Sequence, residues 1–99
     1  MTLKERYFAL PKALEARYPA LDFQDHCYWR IALDHVFQQR WDQVLNKPAH
    51  RHLSEKQMQK VVQFLEIYID NLQLLMSHHA QSLRLWNTPG QTPLFDYTL

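Results

Sequence analysis

Arg30 and Asp34 stand four residues apart within a run of apolar side chains that includes Phe23, Cys27, Ile31, Phe37 and Trp41. Burying an unpaired ion costs several kcal/mol, so two charges at such positions need partners. Two readings follow. In one, they form an intrahelical ion pair, completed by a tyrosine hydroxyl or a backbone carbonyl in a polar pocket of the core. In the other, Arg30 binds a carboxylate or phosphate and Asp34 orients it. His79 lies on a second apolar stripe. The spacing therefore predicts a polar cluster of Arg30, Asp34 and His79, with His79 hydrogen-bonded to a group such as Asp34.

The other histidines do not announce a metal. Structural zinc needs four converging ligands, usually with spacings such as Cys-x-x-Cys, and this chain has one cysteine, Cys27. His26 and Cys27, like His78 and His79, point about 100° apart on a helix, so neither pair chelates one ion easily. No metal and no cofactor are expected. Lys47, Arg51, His52, Lys56 and Lys60 cluster around the helix start at Ser54, where free backbone N–H groups add to an anion-attracting surface. A solvated basic turn is the plainer reading, and no base-stacking platform stands beside it.

Enzyme signatures are absent. The chain has no glycine-rich phosphate loop, no Gly-x-Ser-x-Gly and no His-Glu-x-x-His. Cys27 sits on the apolar arc, which suits a core thiol better than a nucleophile. No catalytic residue is expected.

The elements that must position these residues are helices. Ninety-nine residues suffice for one core, and 46% hydrophobic side chains are enough to fill it. A single glycine argues against tight β-hairpins, which need positive φ. The net charge of +1 gives no global field toward nucleic acid or an anionic membrane. The longest uncharged stretch, Asn71 to Leu83, carries Gln73, His78, His79 and Gln81. It falls short of the roughly 18 apolar residues that a membrane span needs. One cysteine, and no signal peptide at Met1-Thr2-Leu3-Lys4, set a cytoplasmic expectation.

Thr2 and Glu5 have capping-box spacing and predict a first helix, with Pro11 forcing a kink or break near Ala9-Leu10 and Pro19 ending it. Asp22 is placed to cap a second helix running unbroken from Phe23 to Leu45, until Asn46-Lys47-Pro48. Its buried arc is Phe23, Cys27, Ile31, Leu33, Phe37, Trp41, Val44 and Leu45. Ser54 and Gln57 form another capping box, beyond which Met58, Val61, Leu65, Ile69, Leu72, Met76, His79, Leu83 and Trp86 make a near-heptad seam. That seam is one helix from Glu55 to about Trp86 or two, with a break at Asp70-Asn71 slightly favoured. The fold expected is all-α: a bundle of three to four helices over residues 1–86 and an extended tail over 87–99.

His26-Cys27-Tyr28-Trp29-Arg30-Ile31-Ala32-Leu33-Asp34, followed by Trp41, Lys47-Pro48 and Gln81-Ser82-Leu83, resembles a pattern in short helical bacterial proteins of unassigned function. The likeness spans about Asp22 to Trp86 and implies no established activity. Some such proteins carry an acetyltransferase label. That fold resembles a mixed α/β sheet with a glycine-containing pyrophosphate loop, and Gly90, in the tail, cannot supply it.

Two classes of function remain. Tyr28, Trp29 and Val36 lie off the main arc and suggest a second contact surface, hence an interaction module that pairs with another protein or with a second copy as a homodimer. Alternatively, the Arg30/Asp34/His79 pocket binds a small anionic ligand, as an enzyme or a sensor. Nucleic-acid binding through the basic turn 47–60 ranks below both.

Overall fold

The computed structural model describes residues 1–87, and the expected tail over 87–99 lies outside the described residues beyond Asn87. The chain is all-α. Among the described residues four helices run α1 Leu3–Arg17, α2 Asp25–Phe37, α3 Glu55–Asp70 and α4 Leu72–Trp86, with short 3₁₀ turns at Pro19–Leu21, Trp41–Gln43 and Ala49–Arg51. No strand occurs among the described residues. α1 packs chiefly on α3, and α2 bridges α3 and α4. Tyr7, Leu14, Tyr28, Ile31, Leu33, Trp41, Val61, Leu65, Leu75 and Trp86 meet in one core.

Local signals set both capping boxes. Thr2 Oγ1 accepts from Glu5 N at 3.1 Å and Ser54 Oγ from Gln57 N at 3.1 Å, and each partner side chain reaches back to the cap N–H. Pro11, by contrast, does not break α1, which stays helical through it. A proline leaves the carbonyl four residues earlier without its helical donor. Here that carbonyl belongs to Tyr7, and the Trp29 indole donates to it at 3.0 Å. The helix survives because another helix supplies the lost hydrogen bond. At the far end of α3, the Tyr18 hydroxyl meets the carbonyls of Tyr68 and Ile69 at 2.7 and 2.9 Å, in addition to the Asn71 N–H that reaches the Tyr68 carbonyl.

α2 is shorter than expected at both ends. Asp22 does not cap it; that residue closes the preceding 3₁₀ turn in a left-handed conformation, and Gln24 precedes the first turn with no side-chain cap bond. Its end comes at Phe37 rather than Leu45, where Gln38 turns left-handed at φ 55°. Consequently Trp41 is fully buried through a separate turn, whereas Val44 is 43% exposed. The seam beyond Ser54 also changes phase. Asn71 leaves helical geometry and caps α4 by accepting from Leu74 N at 2.9 Å, so α4 buries Leu75, His78, Ser82 and Trp86. Leu72 and Met76, expected on the seam, stand exposed.

Tyr28 and Trp29 make contact with α1. Tyr28 is fully buried, and the Trp29 ring stacks on Tyr7 with centroids 5.3 Å apart. Val36 packs partly buried against the same core.

Candidate functional site

Asp34 lies one turn before the end of α2 and is almost fully buried. Its Oδ1 accepts the Trp41 backbone N–H at 2.9 Å, and its Oδ2 accepts the Ser82 hydroxyl at 2.6 Å and the Trp86 indole N–H at 2.7 Å. One carboxylate thus ties α2 to the turn that follows it and to α4. Burial pushes its pKa up, against the pull of these three donors and of the Arg30 charge. The same corner is closed by Arg40, which pairs with Asp42 at 2.9 Å and lies 3.9 Å above the Trp86 ring.

Arg30 and His79 meet directly: Arg30 Nη2 donates to His79 Nδ1 at 3.1 Å. A guanidinium has only donors, so Nδ1 must be the unprotonated nitrogen and the imidazole proton sits on Nε2. Burial and then the Arg30 charge hold the His79 pKa below its usual value, in keeping with a neutral ring. The expected His79–Asp34 hydrogen bond is therefore replaced by His79–Arg30, while Ser82 and Trp86 occupy the carboxylate. The sequence misses Ser82 because its burial depends on the phase shift at Asn71.

Arg30 and His79 line a cleft of about 490 Å³, together with Phe23, His26, Cys27 and Leu83. Phe23 packs on the His79 ring at 4.8 Å, and Cys27 is a half-buried free thiol. Asp22 lies at the exposed rim. Asp34 lines a different cleft. Of the three residues singled out together, the structure gathers two at one opening and sets the third in the wall between α2 and α4.

The second cleft, about 250 Å³, is bordered by Asp34, His35, Gln38, His78, Gln81, Ser82, Arg84 and Leu85. His35 and His78 stack 3.6 Å apart with planes 14° from parallel. Burial, and then His35, lower the His78 pKa to about 4. No sequence signal marked this pair, since His78 turns inward only after the break at Asn71. Lys47, Arg51, His52, Lys56 and Lys60 are all exposed and line neither cleft. No group of three or more metal-ligating side chains occurs among the described residues, and no described helix is long and apolar enough to cross a membrane.

No known protein family, curated protein or solved structure matches the chain. The likeness noted around His26–Asp34 brings no activity to these residues, so function rests on the geometry of the clefts.

Proposed function

We infer that the protein binds a small organic monocarboxylate in the Arg30/His79 cleft. The observation that carries this is a guanidinium only 2% exposed that still borders an open cleft, beside a histidine whose tautomer it fixes. Arg30 supplies the charge and the planar donor set that suits a carboxylate. His79 Nε2–H supplies a neutral second donor. Phe23, Cys27 and Leu83 supply apolar wall for the body of the ligand. The cleft falls within the usual 300–1,000 Å³ of small-molecule sites.

A phosphate dianion fits less well. One cation and one neutral imidazole would leave half its charge uncompensated in a partly desolvated place, which is costly. Titration followed by imidazole and guanidinium NMR signals tests the reading, with benzoate, butyrate and inorganic phosphate as probes. Benzoate should bind most tightly, with Kd on the order of 0.1–1 mM for one charged contact and modest apolar burial. Arg30→Gln should weaken it at least tenfold, while His79→Asn should weaken it less. Phosphate binding more tightly than benzoate, or benzoate binding unchanged in Arg30→Gln, would refute it.

A further inference from the structure

The cleft on the other flank of the α2–α4 contact has its own chemistry. His35 Nδ1 faces the Gln81 carbonyl oxygen at 3.3 Å. An amide oxygen only accepts, so His35 Nδ1 is protonated, and in the neutral ring Nε2 is an acceptor. For His78 the order is reversed. Its Nδ1 lies 2.6 Å from the Tyr68 hydroxyl, whose one described hydrogen-bond partner it is. The buried hydroxyl donates, and the His78 proton is left on Nε2. Two stacked imidazoles, 3.6 Å apart, thus present one acceptor and one donor.

The geometry points to a second binding site here, for an uncharged planar ring bearing adjacent N–H and C=O groups, a lactam or nucleobase-like edge. His78 Nε2–H answers the carbonyl and His35 Nε2 answers the N–H, from two rings that line the same cleft. Phe64, edge-on to His35 at 4.7 Å and to His78 at 5.5 Å, holds the pair in place. Gln81 and Gln38 are exposed at the border and add further amide donors and acceptors. A volume of about 250 Å³ accepts one small heterocycle. The site is independent of the carboxylate cleft, since it shares neither Arg30 nor His79 with it.

The test uses the full chain and 2-pyridone, with N-methyl-2-pyridone as the analogue lacking the donor. Long-range ¹H–¹⁵N spectra of the imidazoles report both tautomers and binding. The expected result is Nδ1–H on His35, Nε2–H on His78, saturable shifts of both rings with 2-pyridone, and at least tenfold weaker binding of the N-methyl analogue. His35→Phe keeps a ring in the stack and should abolish binding. Gln81→Leu, at an exposed position, frees the His35 tautomer and should weaken binding about tenfold without unfolding the chain. Equal binding of the two pyridones, unshifted imidazoles at 50-fold excess of 2-pyridone, or saturable shifts of this pair with inorganic phosphate instead, would overturn the assignment.

Discussion

Replacing Asp34 by alanine removes the acceptor of three buried donors: the Trp41 N–H, the Ser82 hydroxyl and the Trp86 indole N–H. An unsatisfied buried donor costs about 1–3 kcal/mol. Ser82 borders the 250 Å³ cleft and can recruit water there, so its share is small. Trp41 and Trp86 are 0% and 4% exposed and have no such recourse. Against this, the raised pKa of Asp34 shows that its ionised form is itself costly to bury, and alanine removes that cost. The balance is a loss of about 3–4 kcal/mol, within the range seen when one partner of a buried polar set is deleted. For a domain of this size each kcal/mol lowers Tm by about 4–8 °C, giving a drop of about 12–32 °C. Urea denaturation followed by circular dichroism should show the midpoint falling with little change in slope. Ser82→Ala should cost only about 1 kcal/mol by the same assay. An Asp34→Ala protein within about 1 kcal/mol of the parent would show that the carboxylate does not join α2, the following turn and α4.

Trp29→Phe keeps an aromatic ring against Tyr7 but orphans the Tyr7 carbonyl across from Pro11; a loss of about 1–2 kcal/mol is expected, and Pro11→Ala in the same background should recover most of it, read as urea midpoints. His78 makes stability pH-dependent. Its folded pKa of about 4 lies below the ordinary 6.5, so its contribution is fully present above pH 6.5 and is lost as pH falls toward 4. The ceiling is about 3 kcal/mol, at about 1.36 kcal/mol for each tenfold loss of proton affinity on folding. Solvent reaching the ring from the cleft screens the charged form, which brings the expected loss to about 1–2 kcal/mol. Asp34 works in the opposite direction, because a carboxyl with a raised folded pKa is favoured by acid. The measurement is therefore the difference between the parent and His78→Asn, with the parent losing more stability between pH 6.5 and 4; parallel curves would refute it.

What the sequence disclosed and what it hid divide along the range of the forces involved. Helix starts at Thr2 and Ser54 were legible because each capping box closes within four residues. The end of α2 was not. No glycine or proline separates Gln38 from Leu45, and Trp41, Val44 and Leu45 keep helical phase. What accompanies the chain's departure from it is a set of tertiary contacts from Asp34, Ser82 and Trp86. Asn71 gave an ambiguous signal, yet its consequence was large: the phase it sets decides that His78 and Ser82, rather than Met76, face the core. Arg30 and His79 could be singled out because polar residues on apolar stripes demand partners. Which atoms they chose could not be read, since a periodicity places side chains on a face but not against one another.

Tyr28 and Trp29 carry the same lesson in reverse. Their position off the main arc signals a second surface, and α1 of the same chain makes contact with it. The open polar geometry that remains lies along the α2–α4 seam, which is why ligand binding there is the reading the arrangement favours.

Carboxylate binding at Arg30 is tested most directly by the tautomer and ligand response of one side chain. Long-range ¹H–¹⁵N spectroscopy of His79 at neutral pH should show a neutral ring protonated on Nε2, with Nδ1 accepting from Arg30. Adding benzoate should shift both the His79 nitrogens and the Arg30 guanidinium signal with a single saturable dependence. A proton on Nδ1, or benzoate leaving both residues unmoved at tens of millimolar, would contradict it.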